Sequence, residues 1–272
     1  MKNKILFLAL SFLLCALVLG ACAKKERDLS EIKKSGEIVM FTNAEFPPYE
    51  YIGDNSQPAG IDVDIANEIA KEIGVKLRII NASFDGFSLA LQNAQADMAI
   101  SAISITPERQ ETLDFSIPYV NTIQYILRFE NDESINTIDD LAGKKAGVQL
   151  GTTGDFLLSD QIADGVLKGS GAQVMQYKSL QEALLALKKG DIAAIVSDEG
   201  PIKNLKAENP QTVCFQGKLA NGSLEDEYYG IAVKKGNTDL INKINEVLAN
   251  LITSGFVGER GAYHTEKSIN QQ

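Results

Sequence analysis

The alternation of short apolar stretches with amphipathic ones constrains this chain more than any other feature. Residues 37–43 carry a strand-like apolar run. Residues 62–73 then place Ile65, Ala66, Ile69 and Ile73 on one helical face and stop at Gly74. Residues 75–80 form a second strand pattern. Residues 85–94 form a second helix pattern, with Phe87, Leu89, Ala90 and Leu91 available for packing, and residues 97–103 a buried-type strand. A strand–helix–strand–helix–strand order predicts an α/β domain with a largely parallel sheet. A second run begins after Pro118-Tyr119. Strands are expected at 123–129, 145–149, 173–177, 191–197, 212–215 and 228–233, with helices after Gly151 and over 138–141, 180–189 and 238–253. The chain therefore holds two α/β units of similar size.

Ligands of open α/β sheets bind beyond the carboxyl ends of the strands. Four such ends are chemically loaded: 43–48, 101–109, 149–155 and 197–199. Two come from each unit, so a cleft between the units would join all four.

The stretch Ser101 to Arg109 reads as a strand that turns into a helix. Thr106 suits an N-cap and Pro107 the first helical position. Arg109 then falls in the first turn, where the helix already presents positive charge. Two explanations remain open there. Arg109 pairs on the surface with Glu108, Glu111 or Asp114, or it holds an anion with the Ser104 and Thr106 hydroxyls nearby.

Gly151-Thr152-Thr153-Gly154 opens a helix but lacks the lysine of a phosphate loop and the spacing of a dinucleotide fingerprint. It is a small-anion site or an ordinary capped turn. Asp198 ends an apolar strand and is either an ammonium ligand or the cap of the helix after it. Arg109 for a carboxylate and Asp198 for an ammonium together describe an α-amino acid. Phe46, Tyr49 and Phe84 are candidate aromatic walls, with Glu45 and Asp85 beside them. Asn43 and Glu45, on one strand face, would both reach a polar side chain.

Lys2 and Lys4 precede an apolar stretch, 5–20, which would span roughly 24 Å as a helix, short of a ~30 Å hydrocarbon core. Leu19-Gly20-Ala21-Cys22 matches the bacterial lipoprotein cleavage pattern, which predicts a leader over 1–21 and lipidation of Cys22. An ordinary secretory signal is the alternative. Residues 22–35 are expected as a solvated tether. Cys15 leaves with the leader, so Cys214 remains as a lone, buried apolar thiol. The single histidine, His264, has no sequence feature pairing it with Cys214, so neither Cys–His catalysis nor a metal site is expected. The formal charge of −10 argues against nucleic acid.

These motifs resemble those of the polar amino-acid-binding lipoproteins and periplasmic proteins of ABC importers. In family order they are Asn43-Ala44-Glu45-Phe46-Pro47-Pro48-Tyr49-Glu50-Tyr51, Gly60-Ile61-Asp62-Val63-Asp64, Phe84-Asp85-Gly86, Ile103 to Arg109, Asp114-Phe115-Ser116, Leu141-Ala142-Gly143-Lys144, Leu150-Gly151-Thr152-Thr153, Asp198 and Tyr229-Gly230-Ile231-Ala232-Val233. The resemblance implies a two-lobed, type II periplasmic-binding-protein fold with a two-strand hinge. Lobe one would be 36–121 plus 230–272 and lobe two 122–229.

The resemblance also implies that Arg109 holds the substrate carboxylate. Ser104 and the Ala102 main chain would contact the substrate backbone, and the Thr152–Thr153 segment would approach the carboxylate from lobe two. Asp198 would bind the ammonium, Phe46 and Phe84 would flank the side chain, and Asn43 would lie beside it. Asn43 is often acidic in members that bind basic side chains, so Glu45 is the candidate for that charge. The tail at 256–261 lacks the family's usual Trp.

The expected function is an extracytoplasmic, lipid-anchored binding protein. It would act as a monomer without cofactor and deliver a free L-amino acid, basic or neutral polar, to a permease. The alternative is an exported cyclohexadienyl dehydratase-like enzyme, with Glu45 or Glu199 as its general acid.

Overall fold

The computed structural model describes residues 27–223 and 225–270. The expected leader, Cys22 and the first part of the expected tether lie outside the described residues. Tether residues that are described join the body instead. Leu29–Ser35 is a helix capped reciprocally by Asp28 and Glu31. Its Ile32 is fully buried, and Arg27 pairs with Asp97 of the main body.

The strands run β1 (Glu37–Thr42), β2 (Glu45–Phe46), β3 (Glu50–Ile52), β4 (Pro58–Ala59), β5 (Lys76–Asn81), β6 (Met98–Ala99) and β7 (Leu113–Phe115) in the first part of the chain. They continue as β8 (Val120–Thr122), β9 (Gln124–Phe129), β10 (Lys145–Gln149), β11 (Gln173–Tyr177), β12 (Ala194–Asp198), β13 (Thr212–Gln216), β14 (Glu227–Tyr229) and β15 (Ala232–Lys234). One five-stranded sheet has the order β5-β1-β6-β15-β7 and the other β11-β10-β12-β9-β13.

The two sheets share one plan. Strand β1 is parallel to β5 and β6, and β15 is antiparallel to β6 and β7. Strand β10 is parallel to β11 and β12, and β9 is antiparallel to β12 and β13. The chain passes between the sheets at β8 and β14, which pair antiparallel as a ribbon. The two-unit α/β reading of the sequence holds.

Both faces of each sheet are covered. In β1, Ile38 and Met40 face the core under the helices Ile61–Ile73 and Thr238–Thr253, while Val39 and Phe41 face Phe87 and Leu91 on the other side. This is the period-two alternation of a strand buried on both faces. In the second sheet, Ile195 packs under Ala183, Leu184 and Leu187, and Val148 and Val196 pack with Leu158.

Three expected elements differ in detail. The helix expected at 85–94 starts as a tight turn, Phe84–Gly86, and becomes α-helical over Phe87–Gln92. The strand expected through residue 103 keeps ladder pairing only over β6, because Ala102 has φ +47° and leaves the extended region. The strand expected over 228–233 is two strands. The chain moves from the ribbon to the first sheet at Gly230, where a Cβ would sit 2.8 Å from Ile105 Cδ1. At the C-terminus Phe256–Asn270 is helical, and its His264 is buried, bonded to Tyr51 and Asp64. Cys214 is half-buried and free.

Candidate functional site

A narrow cavity lies where the loaded strand ends of the two sheets meet. Asn43, Phe46, Phe84, Ala102, Ser104, Arg109, Thr152, Thr153 and Asp198 line it, as do Glu50, Ser101 and Gln149. Nine of the ten residues expected to contact the ligand are thus brought together, while Tyr49 and Asp85, the other candidates beside the aromatic walls, do not line the cavity. The tenth, Glu45, does not line it either. It is exposed on β2 and pairs with Tyr51 of β3, and the alternation that turns Phe46 inward turns Glu45 out. Glu199 is also away from the cavity, bonded to Tyr125 and Lys203.

Arg109 sits in the short helix Pro107–Gln110, whose Thr106 cap accepts the Arg109 N–H. Its side chain folds inward and is 9% exposed. One terminal nitrogen donates to the Ser104 carbonyl at 2.7 Å and the other to the Gly151 carbonyl at 3.1 Å. The guanidinium carbon lies 5.7, 5.4 and 5.9 Å from the ring centres of Phe84, Phe87 and Phe156. Among the described residues it forms no ion pair with a carboxylate, so the surface-pair alternative fails. Burial lowers its pKa to about 10, and Asp198 and Glu227 oppose that shift. The group stays cationic at neutral pH.

Asp198 ends β12 and begins the helix Glu199–Glu208, yet its side chain does not cap that helix. One oxygen accepts from Tyr229 Oη at 2.6 Å and the other from Gln124 Nε2. Burial, then the charge of Glu227, raises its pKa to about 7. Thr152 keeps the role of a helix cap. Its hydroxyl accepts from Asp155 N–H and donates to the Gln149 carbonyl. Gly151, at φ +78°, makes the tight turn that brings this segment against Arg109.

The other end of the cavity has a different character. Asn43 Oδ1 accepts from Gln149 Nε2 at 2.8 Å, joining the two sheets. Glu50 is fully buried, and Ser101 Oγ donates to one of its oxygens at 2.9 Å. Gln149 Oε1 is buried with no hydrogen-bond partner, as is Gln124 Oε1 beside Asp198, whereas Glu50 shares a hydrogen bond with Asp62. Such orphaned acceptors are costly unless something donates to them. Burial first, and then the charge of Asp62, pushes the Glu50 pKa well up. Asp62 itself rises to about 6 through burial; it accepts from the Ala102 N–H at 2.7 Å and from Tyr119 Oη at 2.8 Å. That first bond helps hold Ala102 in its left-handed conformation.

Glu50, Ser101 and Gln149 were not singled out from sequence. Ser101 lies in the loaded strand end 101–109, and Gln149 ends an expected strand. Glu50 pairs with Phe46 across the β2–β3 register, and an inward Phe46 places it inward too. Gln124 and Glu227, which touch Asp198, Ser104 and Thr153, carry no local signal; Glu227 ends an acidic run that reads as a solvated face.

A family model described as bacterial extracellular solute-binding proteins, family 3, matches residues 38–261. A "probable histidine-binding protein" of Campylobacter jejuni is 35% identical over 244 residues, 88% of this chain and 90% of the relative. The arginine-bound form of a truncated ArgBP from T. maritima has a TM-score of 0.74 at 38% identity, covering 82% of this chain and 99% of that truncated chain. An ancestral amino acid-binding protein, described as a precursor of cyclohexadienyl dehydratase, has a TM-score of 0.76 at 30% identity, covering 87% and 99%.

Proposed function

This chain belongs to the bacterial extracellular solute-binding proteins of family 3, and from that premise we propose that it is the extracytoplasmic, lipid-anchored binding component of an amino acid ABC importer. The observation that carries this reading is a buried, carboxylate-free Arg109 in the same cavity as a buried Asp198. Arg109 retains unused N–H groups for a ligand α-carboxylate. Asp198, with Ser104 and the Ala102 main chain, takes the α-ammonium. Thr153 adds its contact from the opposite side, and Phe46 and Phe84 flank the ligand side chain.

We assign lobe one to 36–121 plus 230–272 and lobe two to 122–229, with β8 and β14 as the hinge. A ligand that touches both lobes favours the closed form, which the permease receives.

The side-chain end supports a cationic, donor-rich ligand. Gln149 Oε1 is buried without a donor, Glu50 is a buried carboxyl sharing its hydrogen bond with Asp62, and a guanidinium supplies several donors in a plane. Arginine fits best among L-amino acids, and the arginine and histidine relatives agree with a basic substrate. A positive group beside Glu50 would draw it into its ionised form. A thermal-shift screen of the twenty L-amino acids and cystine tests this. Arginine is expected to give the largest rise, since ligand at 100 times its Kd adds ~2.7 kcal/mol. No shift with any of them overturns the reading.

The dehydratase reading would need Glu50 as its acid, because Glu45 and Glu199 lie outside the cavity. A turnover assay with a cyclohexadienyl substrate separates the two, and no turnover is expected.

A further inference from the structure

Glu227 stands on β14, one of the two strands that cross between the sheets. It is half-buried and is not among the residues lining the cavity, yet it gathers three groups that are in or beside it. Its Oε2 accepts from Ser104 Oγ at 2.7 Å and from Thr153 Oγ1 at 2.6 Å. Its Oε1 accepts from Gln124 Nε2 at 2.8 Å. The same Gln124 nitrogen donates to Asp198. Ser104 precedes Arg109 on the first sheet's side, whereas Thr153 opens the helix Thr153–Ala163 of the second. One carboxylate therefore receives a hydroxyl from each side.

A hydroxyl has a single proton and two lone pairs. A carboxylate only accepts, so both hydroxyl protons are directed at Glu227 and away from the cavity. Ser104 and Thr153 are left with lone pairs to offer. Gln124 Nε2 faces Glu227, Asp198 and, at 3.3 Å, Thr153 Oγ1, which keeps Asp198 turned toward the cavity as an acceptor. On this side of the α-end Ser104, Thr153 and Asp198 present acceptor oxygens to the cavity. Arg109, across from them, only donates.

We propose that Glu227 is a positioning residue that makes Ser104 and Thr153 obligate acceptors and so sets the preference for an α-ammonium over an α-keto or desamino acid. It rests on the amino-acid-binding reading above and deepens it. An ammonium brings three donors to a surface of acceptors. A keto oxygen brings lone pairs against lone pairs, and a methylene leaves the buried acceptors unmet. Neutral Glu227→Gln breaks the pattern, because its amide donates to one hydroxyl and frees that hydroxyl's own proton to point into the cavity.

The test is calorimetry on wild type, Glu227→Gln and Glu227→Asp. The probes are L-arginine with desamino-arginine and with the matching α-keto acid, and L-histidine with imidazolepropionate. Wild type is expected to favour each amino acid strongly over its analogues. In Glu227→Gln that ratio is expected to shrink roughly 10- to 100-fold, the worth of a charge-assisted hydrogen bond. Glu227→Asp is expected to recover part of it. Thr153→Val, which keeps the shape and removes one hydroxyl, is expected to shrink the ratio without Glu227 being touched. If Glu227→Gln weakens amino acid and analogue equally, Glu227 is only a structural strut and the proposal is overturned. If wild type binds neither amino acid, the binding reading fails first.

Discussion

The two ends of the cavity are built on opposite principles. At the α-end, Arg109, Asp198, Ser104 and Thr153 are already held by hydrogen bonds to carbonyls, Tyr229, Gln124 and Glu227. At the α-end one buried acceptor, Gln124 Oε1, stays unmet; at the side-chain end Gln149 Oε1 is unmet and Glu50 is a buried carboxyl held only by Ser101 and Asp62. A held group costs little to use, because its ordering is complete before the ligand arrives. An unmet group gains most from the ligand that completes it. The contrast explains how one site can read the common part of every amino acid with fixed groups and leave its choice among side chains to a few unsatisfied ones.

The largest break in the α-end is Arg109→Ala. It is expected to weaken every L-amino acid by ~2–5 kcal/mol, since Asp198 and Glu227 lose their facing cation. Calorimetry gives the loss, and an unchanged far-ultraviolet circular dichroism spectrum shows that the fold survives. Amino acid affinity close to wild type would remove Arg109 from the site.

The next break falls at the other end. Glu50→Gln is expected to cut arginine affinity by about 1.5–3 kcal/mol while leaving glutamine nearly unchanged. An equal loss for both would erase the distinction between the ends.

A milder perturbation is pH. Burial holds the Asp198 pKa at about 7, above its ordinary value of 3.8, so between those values the folded protein binds a proton that the unfolded chain releases. The free protein therefore loses stability as pH rises through that window. Glu50 and Asp62 are shifted the same way and add to the trend. Ammonium binding requires ionised Asp198, so amino acid affinity has the opposite slope. It is expected to fall by roughly tenfold or more from pH 7.5 to 5.5, with proton release measurable in buffers of different ionisation enthalpy. The smallest expected effect is that of Glu45→Ala. Exposed on β2, it is expected to change arginine affinity and stability by less than about 0.5 kcal/mol.

The same contrast governs what the sequence revealed. The α-end was legible because its residues sit in short local signals. Thr106-Pro107 marks a helix start, Gly151-Thr152-Thr153-Gly154 marks another, and Asp198 closes an apolar strand. The alternating α/β order was legible for the same reason, since period and caps are local. The side-chain end was legible only in Asn43, Phe46 and Phe84. Glu50, Ser101 and Gln149 meet through pairing of β2 with β3 and the approach of two sheets, which no window of sequence contains. Glu45 stands out in the sequence although Glu50 is the inward residue, because register decides which side of a strand faces inward and a short β2 gives too few residues to display its alternation. The split of 228–233 into two strands was hidden too, because a continuous apolar pattern does not reveal a change of pairing partner at Gly230.

The most direct measurement compares L-arginine with agmatine, the same molecule without its carboxylate, by calorimetry on the wild-type protein. If Arg109 anchors an α-carboxylate, arginine binds one per chain and agmatine is weaker by at least ~2 kcal/mol, with Arg109→Ala binding both alike. Agmatine binding as tightly as arginine would contradict the assignment of this cavity as an α-amino acid site.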